Sequence, residues 1–153
     1  MELPATTERV TQHTPEHINQ QLRLEMERRL HYYAENPAQI DARLGELDEE
    51  WDIERALQAN AGSLALMGLI LGATGARRYY LLSFGVMAFL LQHALEGWCP
   101  PLRLLRRLGY RTRREIETER YALKLLRGDF GSEAAAGASV TERVGRALQL
   151  AES

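Results

Sequence analysis

The chain has 153 residues, with 19 Lys+Arg against 21 Asp+Glu, enough for one ordinary domain and too evenly charged for a strongly basic nucleic-acid binder or a polyacidic tail. Its one cysteine excludes an internal disulfide framework and a cysteine-only zinc site within one chain. The charges are unevenly placed: residues 56–102 hold only Arg77, Arg78 and Glu96.

Residues 1–13 read as a flexible N-terminus. Thr14-Pro15-Glu16 offers a capping hydroxyl followed by proline, a helix start. Ile18, Leu22, Met26, Leu30 and Tyr33 follow at spacings of four and three and predict one apolar stripe on a charged helix. Asn36-Pro37 breaks it. Ile40, Leu44, Leu47 and Trp51 predict a second amphipathic helix that runs toward the first apolar segment. Residues 14–55 thus form a cytoplasmic helical arm, too short in heptads for a coiled coil.

Residues 56–76 carry no charge and, as a helix, extend roughly 31 Å. Residues 79–95 are again uncharged and extend roughly 25 Å, the lower edge of a membrane span. A soluble helix normally shows a polar face, and residues 64–72 and 84–91 show none. A transmembrane hairpin over 56–98 is therefore expected, with its turn at Arg77-Arg78. A buried helical hairpin in a soluble all-α domain is the alternative. Tyr79, Tyr80 and Trp98 fall where an aromatic belt would sit. Arginines near the outer ends of the hairpin (Arg43, Arg55 and the group from Arg103 to Arg114) outnumber Arg77 and Arg78, which favours cytoplasmic termini. The first 55 residues lack the apolar stretch of a cleavable signal. Gly68, Gly72 and Ala76 place small residues on one face of the first span, with Gly85 and Ala88 as thin spots on the second. Such faces let helices approach closely where lipid supplies little hydrophobic drive.

Pro100-Pro101 ends the second span. Leucines at 102, 104, 105 and 108 interleave with Arg103, Arg106 and Arg107, as in a short helix at the membrane surface whose arginines meet lipid phosphates. Gly109 ends it. Thr112-Arg-Arg-Glu115 is a capping box that opens another helix, with Gly128 as its stop. Residues 129–153 read as a flexible tail with one weak amphipathic helix. Glu115, Glu117 and Glu119 answer the basic run at 103–114, so no nucleic-acid partner is expected.

No phosphate loop, dinucleotide fingerprint or His-Glu-x-x-His motif is present. His93, Glu96 and Cys99 are possible metal ligands, but three groups fall short of a structural zinc site. No metal, cofactor or catalytic residue is expected. Cys99 is the candidate reactive thiol, and a small residue in a tight turn is the plainer reading of it.

Asn60-Ala61-Gly62, Gly97-Trp98-Cys99-Pro100 and Leu108-Gly109 together resemble the YgaP-like inner-membrane transmembrane domain, over about 50 residues. The resemblance implies a bacterial membrane domain of uncharacterised function. Some members of that family carry a fused rhodanese-type sulfurtransferase domain, for which this chain has no room, so sulfur transfer does not follow. Arginine supplies 18 of the 19 basic residues, in keeping with a GC-rich bacterial source. The expectation is an all-α protein: a two-helix transmembrane hairpin with amphipathic arms before and after it, acting as a non-enzymatic scaffold or oligomerising subunit. Its partners would be the lipid bilayer and a second copy or another protein bound through the cytoplasmic helices. Two alternatives stand beside it: a sulfur-handling accessory using Cys99, and a soluble subunit whose apolar hairpin is buried in a larger complex.

Overall fold

The computed structural model describes residues 10–97, 99–129 and 139–152. Trp98, most of the segment expected to be a flexible N-terminus, and residues 130–138 lie outside the described residues. Every regular element described is helical. In chain order these are α1 (Glu16–Glu35), α2 (Ile40–Glu49), α3 (Ile53–Thr74), α4 (Tyr80–Glu96), α5 (Pro100–Arg107), α6 (Arg113–Arg127) and α7 (Val140–Glu152). Short 3-10 turns at Pro37–Gln39 and Arg77–Tyr79 precede α2 and α4.

The helices divide between two compact units, Met1–Pro15 with Trp51–Thr112, and Glu16–Glu50 with Arg113–Ser153. This partition differs from the sequence reading. The helix after the basic segment does not extend a separate arm: α6 joins α1 and α2. The segment read as a weak tail helix, α7, belongs to the same unit and places Val144, Ala147 and Leu148 in its core. Ser139 and Glu142 form a reciprocal cap at the start of α7. The Ser139 backbone N–H donates to Glu142 Oε2 at 2.9 Å, and the Glu142 N–H donates to Ser139 Oγ at 3.3 Å. The apolar stripe of α1 is buried at Ile18, Leu22, Met26 and Leu30, and Ala34 extends it. Asn36 ends α1 by donating both its backbone N–H and its Nδ2 to the Tyr32 carbonyl. Gly128, at φ 93°, closes α6 in the left-handed region that glycine enters without strain.

Buried charge ties this unit together. Glu119 is 0% exposed. Arg29 of α1 donates to it through Nε at 3.1 Å and Nη2 at 2.9 Å. Arg43 of α2 donates through Nε at 3.0 Å. Glu119 thus draws two arginine partners from far away in sequence. A buried carboxylate needs partners that neutralise it, and two arginines from other helices supply them.

Contrary to expectation, α2 does not run on into the apolar helix that opens the other unit. The chain leaves helical geometry at Glu50, and Asp52 caps α3 by accepting the Arg55 N–H at 2.7 Å. Trp51 accordingly leaves the stripe of α2: it is exposed, with the Arg55 guanidinium 4.5 Å from its ring centre. The core of this unit is Val10, Ile53, Leu57, Cys99 and Leu102.

Candidate membrane-contact surface

The helices α3 and α4 run past each other in opposite directions. At their contact Ser83 donates to the Ala65 carbonyl at 2.8 Å, and both residues are buried. Gly68 faces Ser83: a Cβ there would lie 2.5 Å from Ser83 Oγ and 3.0 Å from the Tyr79 carbonyl oxygen. Gly72 faces the Tyr80 ring, 2.7 Å from where its Cβ would be. These two glycines let the backbones approach. The remaining small residues named for packing do not share that contact. Ala76 lies beyond the end of α3 in extended geometry and is exposed. No atom lies within 4 Å of a Cβ on Gly85, and Ala88 is exposed. Sequence reasoning missed Ser83 and the Tyr80 ring as the α4 side of the contact. A lone hydroxyl amid apolar residues at 81–91 was the available signal, since such a group must find an acceptor when buried.

Outside that contact, α3 and α4 present large apolar side chains outward. Leu66, Ile70, Leu91 and Leu95 are more than half exposed, Leu81 is 73% exposed and Phe84 is 74% exposed. Among the described residues one stretch that ends in α3, Pro37–Thr74 with its break at Glu50, meets the length and apolarity needed to cross a membrane, and only 33% of its most apolar window is buried. Residues Arg77–Glu96 meet the same criterion only when joined to Pro100–Arg107 across an 80° bend. Tyr79 and Tyr80 sit at the start of α4, with the Arg78 guanidinium 5.5 Å from the Tyr79 ring centre.

Helix α5 sorts its side chains differently from the simple leucine–arginine alternation. Leu102 is fully buried, Leu105 packs beside it, and Arg106 is 1% exposed. Arg106 Nη1 donates to the Tyr110 carbonyl at 3.2 Å. Arg106 is thus a structural arginine, not one that meets lipid phosphates. Leu104 and Leu108 point outward with Arg103 and Arg107. At 100° per residue the outward arc has an apolar half (Pro101, Leu104, Leu108) beside a basic half (Arg103, Arg107). Gly109, at φ 89°, then turns the chain.

Cys99 follows the second apolar helix and is 1% exposed in the apolar core. Burial pushes its thiol pKa up, and the Leu102 backbone N–H offsets this only in part. That is the opposite of the activation a nucleophilic thiol needs. His93 is buried on α4, while the Glu96 carboxylate is exposed and accepts from Gln92 at 3.1 Å. No group of three His, Cys, Asp or Glu among the described residues could hold a metal ion. Cys99 does line a cleft of about 110 Å³ within this unit, walled by Leu57, Ala61 and Leu64 of α3 and by Phe89 and Leu90 of α4. No protein-family model, curated protein or solved structure matches the chain.

Proposed function

We propose that the chain is a small integral membrane protein whose α3 and α4 cross the bilayer as an antiparallel hairpin, with both termini cytoplasmic. It acts as a non-enzymatic scaffold or oligomerising subunit, through contacts made by its helical second unit. The observation that carries this reading is the outward apolar surface of α3 and α4, with Leu81 and Phe84 nearly three-quarters exposed. A contiguous apolar surface on both helices needs lipid or protein to cover it. Lipid is favoured by the Arg77–Arg78 turn, the adjoining tyrosines, and the amphipathic outward arc of α5. At 17 residues α4 extends roughly 25 Å and needs Arg77 and Arg78 to reach up to headgroups at the turn. Membranes from cells expressing the full chain are washed with alkaline carbonate. Retention is expected, and an Arg78→Cys reporter in a Cys99→Ser background should react with an impermeant maleimide from the outside. Release by carbonate would instead favour a soluble subunit whose apolar surface is covered in a larger complex. The sulfur-handling alternative is disfavoured by the buried Cys99 thiol; a Cys99→Ser variant that loses function while keeping its membrane insertion would restore it.

A further inference from the structure

Two guanidinium–ring pairs stand among the described residues, and they bracket the uncharged segment of α3. At its start the Arg55 guanidinium lies 4.5 Å from the centre of the Trp51 ring, and past its end Arg78 lies 5.5 Å from that of Tyr79. Between the two pairs residues 56–76 carry no charge. Arg55 and Thr74 are roughly 28 Å apart along α3, and Arg78 follows just beyond the turn. The hydrocarbon core of a bilayer is about 30 Å thick. The pairs are thus spaced to meet the two faces of one bilayer. Trp51 joins this arrangement because the chain leaves helical geometry at Glu50 and Asp52 caps α3, which takes the ring out of the α2 stripe and sets it beside Arg55. The ring is 45% exposed. At a headgroup boundary its apolar body meets acyl chains while its Nε1–H meets polar groups. A guanidinium seated over a ring keeps its planar N–H edge for an acceptor, which fits a phosphate. Asp52, three residues away, spends its Oδ1 on the Arg55 backbone N–H at 2.7 Å. A soluble acidic partner would match the guanidinium but not the spacing to the second pair. We infer that Trp51 and Arg55 form the cytoplasmic collar of the span. The indole lies at the edge of the acyl chains, Arg55 holds a lipid phosphate above it, and Arg78 with Tyr79 does the same at the opposite face, so the two pairs fix the depth of α3. The collar rests on the membrane reading above and assigns the lipid contact at the cytoplasmic end of α3.

The chain has two tryptophans, so Trp98→Phe leaves Trp51 as the sole indole of the full chain. That variant is reconstituted into dioleoyl phosphatidylcholine vesicles doped with lipids brominated near the glycerol or near the chain end, and its fluorescence is read with aqueous iodide as a second quencher. Shallow bromines should quench Trp51 more strongly than deep ones, and iodide should quench it less than it quenches free tryptophan. Arg55→Gln in the same background removes the phosphate hold and should lower the ratio of shallow to deep quenching. Tyr79→Trp in a chain carrying Trp51→Phe and Trp98→Phe should show the same shallow profile at the other face. If Trp98→Phe does not insert, loss of the shallow component from the parent on Trp51→Phe reads the same quantity. A Trp51 that iodide quenches freely and brominated lipid does not overturns the collar. So does a ring shielded from both quenchers, which a second copy or another protein then covers, and so does a shallow-to-deep ratio unchanged in Arg55→Gln. Deepest quenching at either position by chain-end bromines overturns the matched spacing. Any of these results in a carbonate-resistant chain overturns this inference alone. Carbonate release overturns the membrane reading and the collar together.

Discussion

The contact between Gly68 and Ser83 provides a demanding test of how α3 and α4 are held. In an open helix interior, Gly→Ala gains about 1 kcal/mol because alanine restricts the unfolded chain. At Gly68 the added Cβ would meet Ser83 Oγ at 2.5 Å, the Tyr79 carbonyl oxygen at 3.0 Å and the Ser83 nitrogen at 3.1 Å. Two of those atoms are backbone, so a rotamer change in one side chain cannot relieve the overlap and α4 must shift. Overpacking of this kind costs about 1–3 kcal/mol. The shift also strains the Ser83–Ala65 hydrogen bond, worth about 0.6 kcal/mol on average in a membrane protein. Gly68→Ala is therefore expected to destabilise the pair by about 2 kcal/mol, roughly a 30-fold change in the folded-to-unfolded ratio. Gly85→Ala is the matched control, with no atom within 4 Å of its new Cβ; it should be neutral or stabilising by up to about 1 kcal/mol. The readout is thermal unfolding of the purified chain in mild detergent, followed by the reaction of Cys99 with a charged thiol reagent. Ser83→Ala in the Gly68→Ala background removes the shortest overlap and should recover part of the loss. A Gly68→Ala protein as stable as its parent, or an equal loss in Gly85→Ala, would refute the packing geometry.

Four further outcomes follow from the other described features. Glu119→Ala leaves Arg29 and Arg43 without their shared carboxylate. Both arginines retain some solvent access, at 31% and 14% of their side-chain surface, so the loss should sit at the low end of the range for a broken buried pair, about 3 kcal/mol, in urea unfolding followed by circular dichroism. Ser139→Ala removes the cap of α7 and should cost about 1 kcal/mol, read as faster hydrogen exchange in Val140–Glu152. The same cap makes α7 acid-sensitive. The Ser139 backbone N–H and hydroxyl hold the Glu142 carboxyl below its ordinary value, so the stabilisation is complete above the unfolded carboxyl pKa and is lost as pH falls through the folded one. Protection of the α7 amides, taken relative to their intrinsic exchange rate at each pH, should fall below about pH 4 in the parent and change less in Glu142→Gln. Finally, Cys99 in the folded chain should react with a charged maleimide at neutral pH much more slowly than after denaturation. Equal rates would mean that the thiol is neither buried nor raised in pKa.

The apolar segments, the helical class and most helix ends are legible in one dimension. Each depends on local chemistry: a lack of charge over 56–76 and 79–95, a four-and-three spacing at Ile18 to Leu30, and helix stops at Asn36-Pro37, Gly109 and Gly128. Periodicity gives the face of a helix but not what that face meets. Arg103, Arg106 and Arg107 look alike beside their leucines, yet Arg106 is buried with its guanidinium on the Tyr110 carbonyl. An arginine can be buried wherever neighbouring backbone supplies acceptors, and those acceptors exist only once the chain has turned. Gly68 and Gly85 are likewise both small residues on apolar helices; which of them meets a neighbour depends on how α3 and α4 are rotated against each other. Glu119 shows the largest gap between local and global reading. It sits among basic neighbours in sequence, yet Arg29 and Arg43 reach it from 90 and 76 residues away. The sequence by itself determined where charge is absent and where helices stop, because those properties act over a few residues. Only the tertiary structure decided which charges are buried, which glycines touch and that α7 completes a core, because these rest on contacts between helices far apart in the chain.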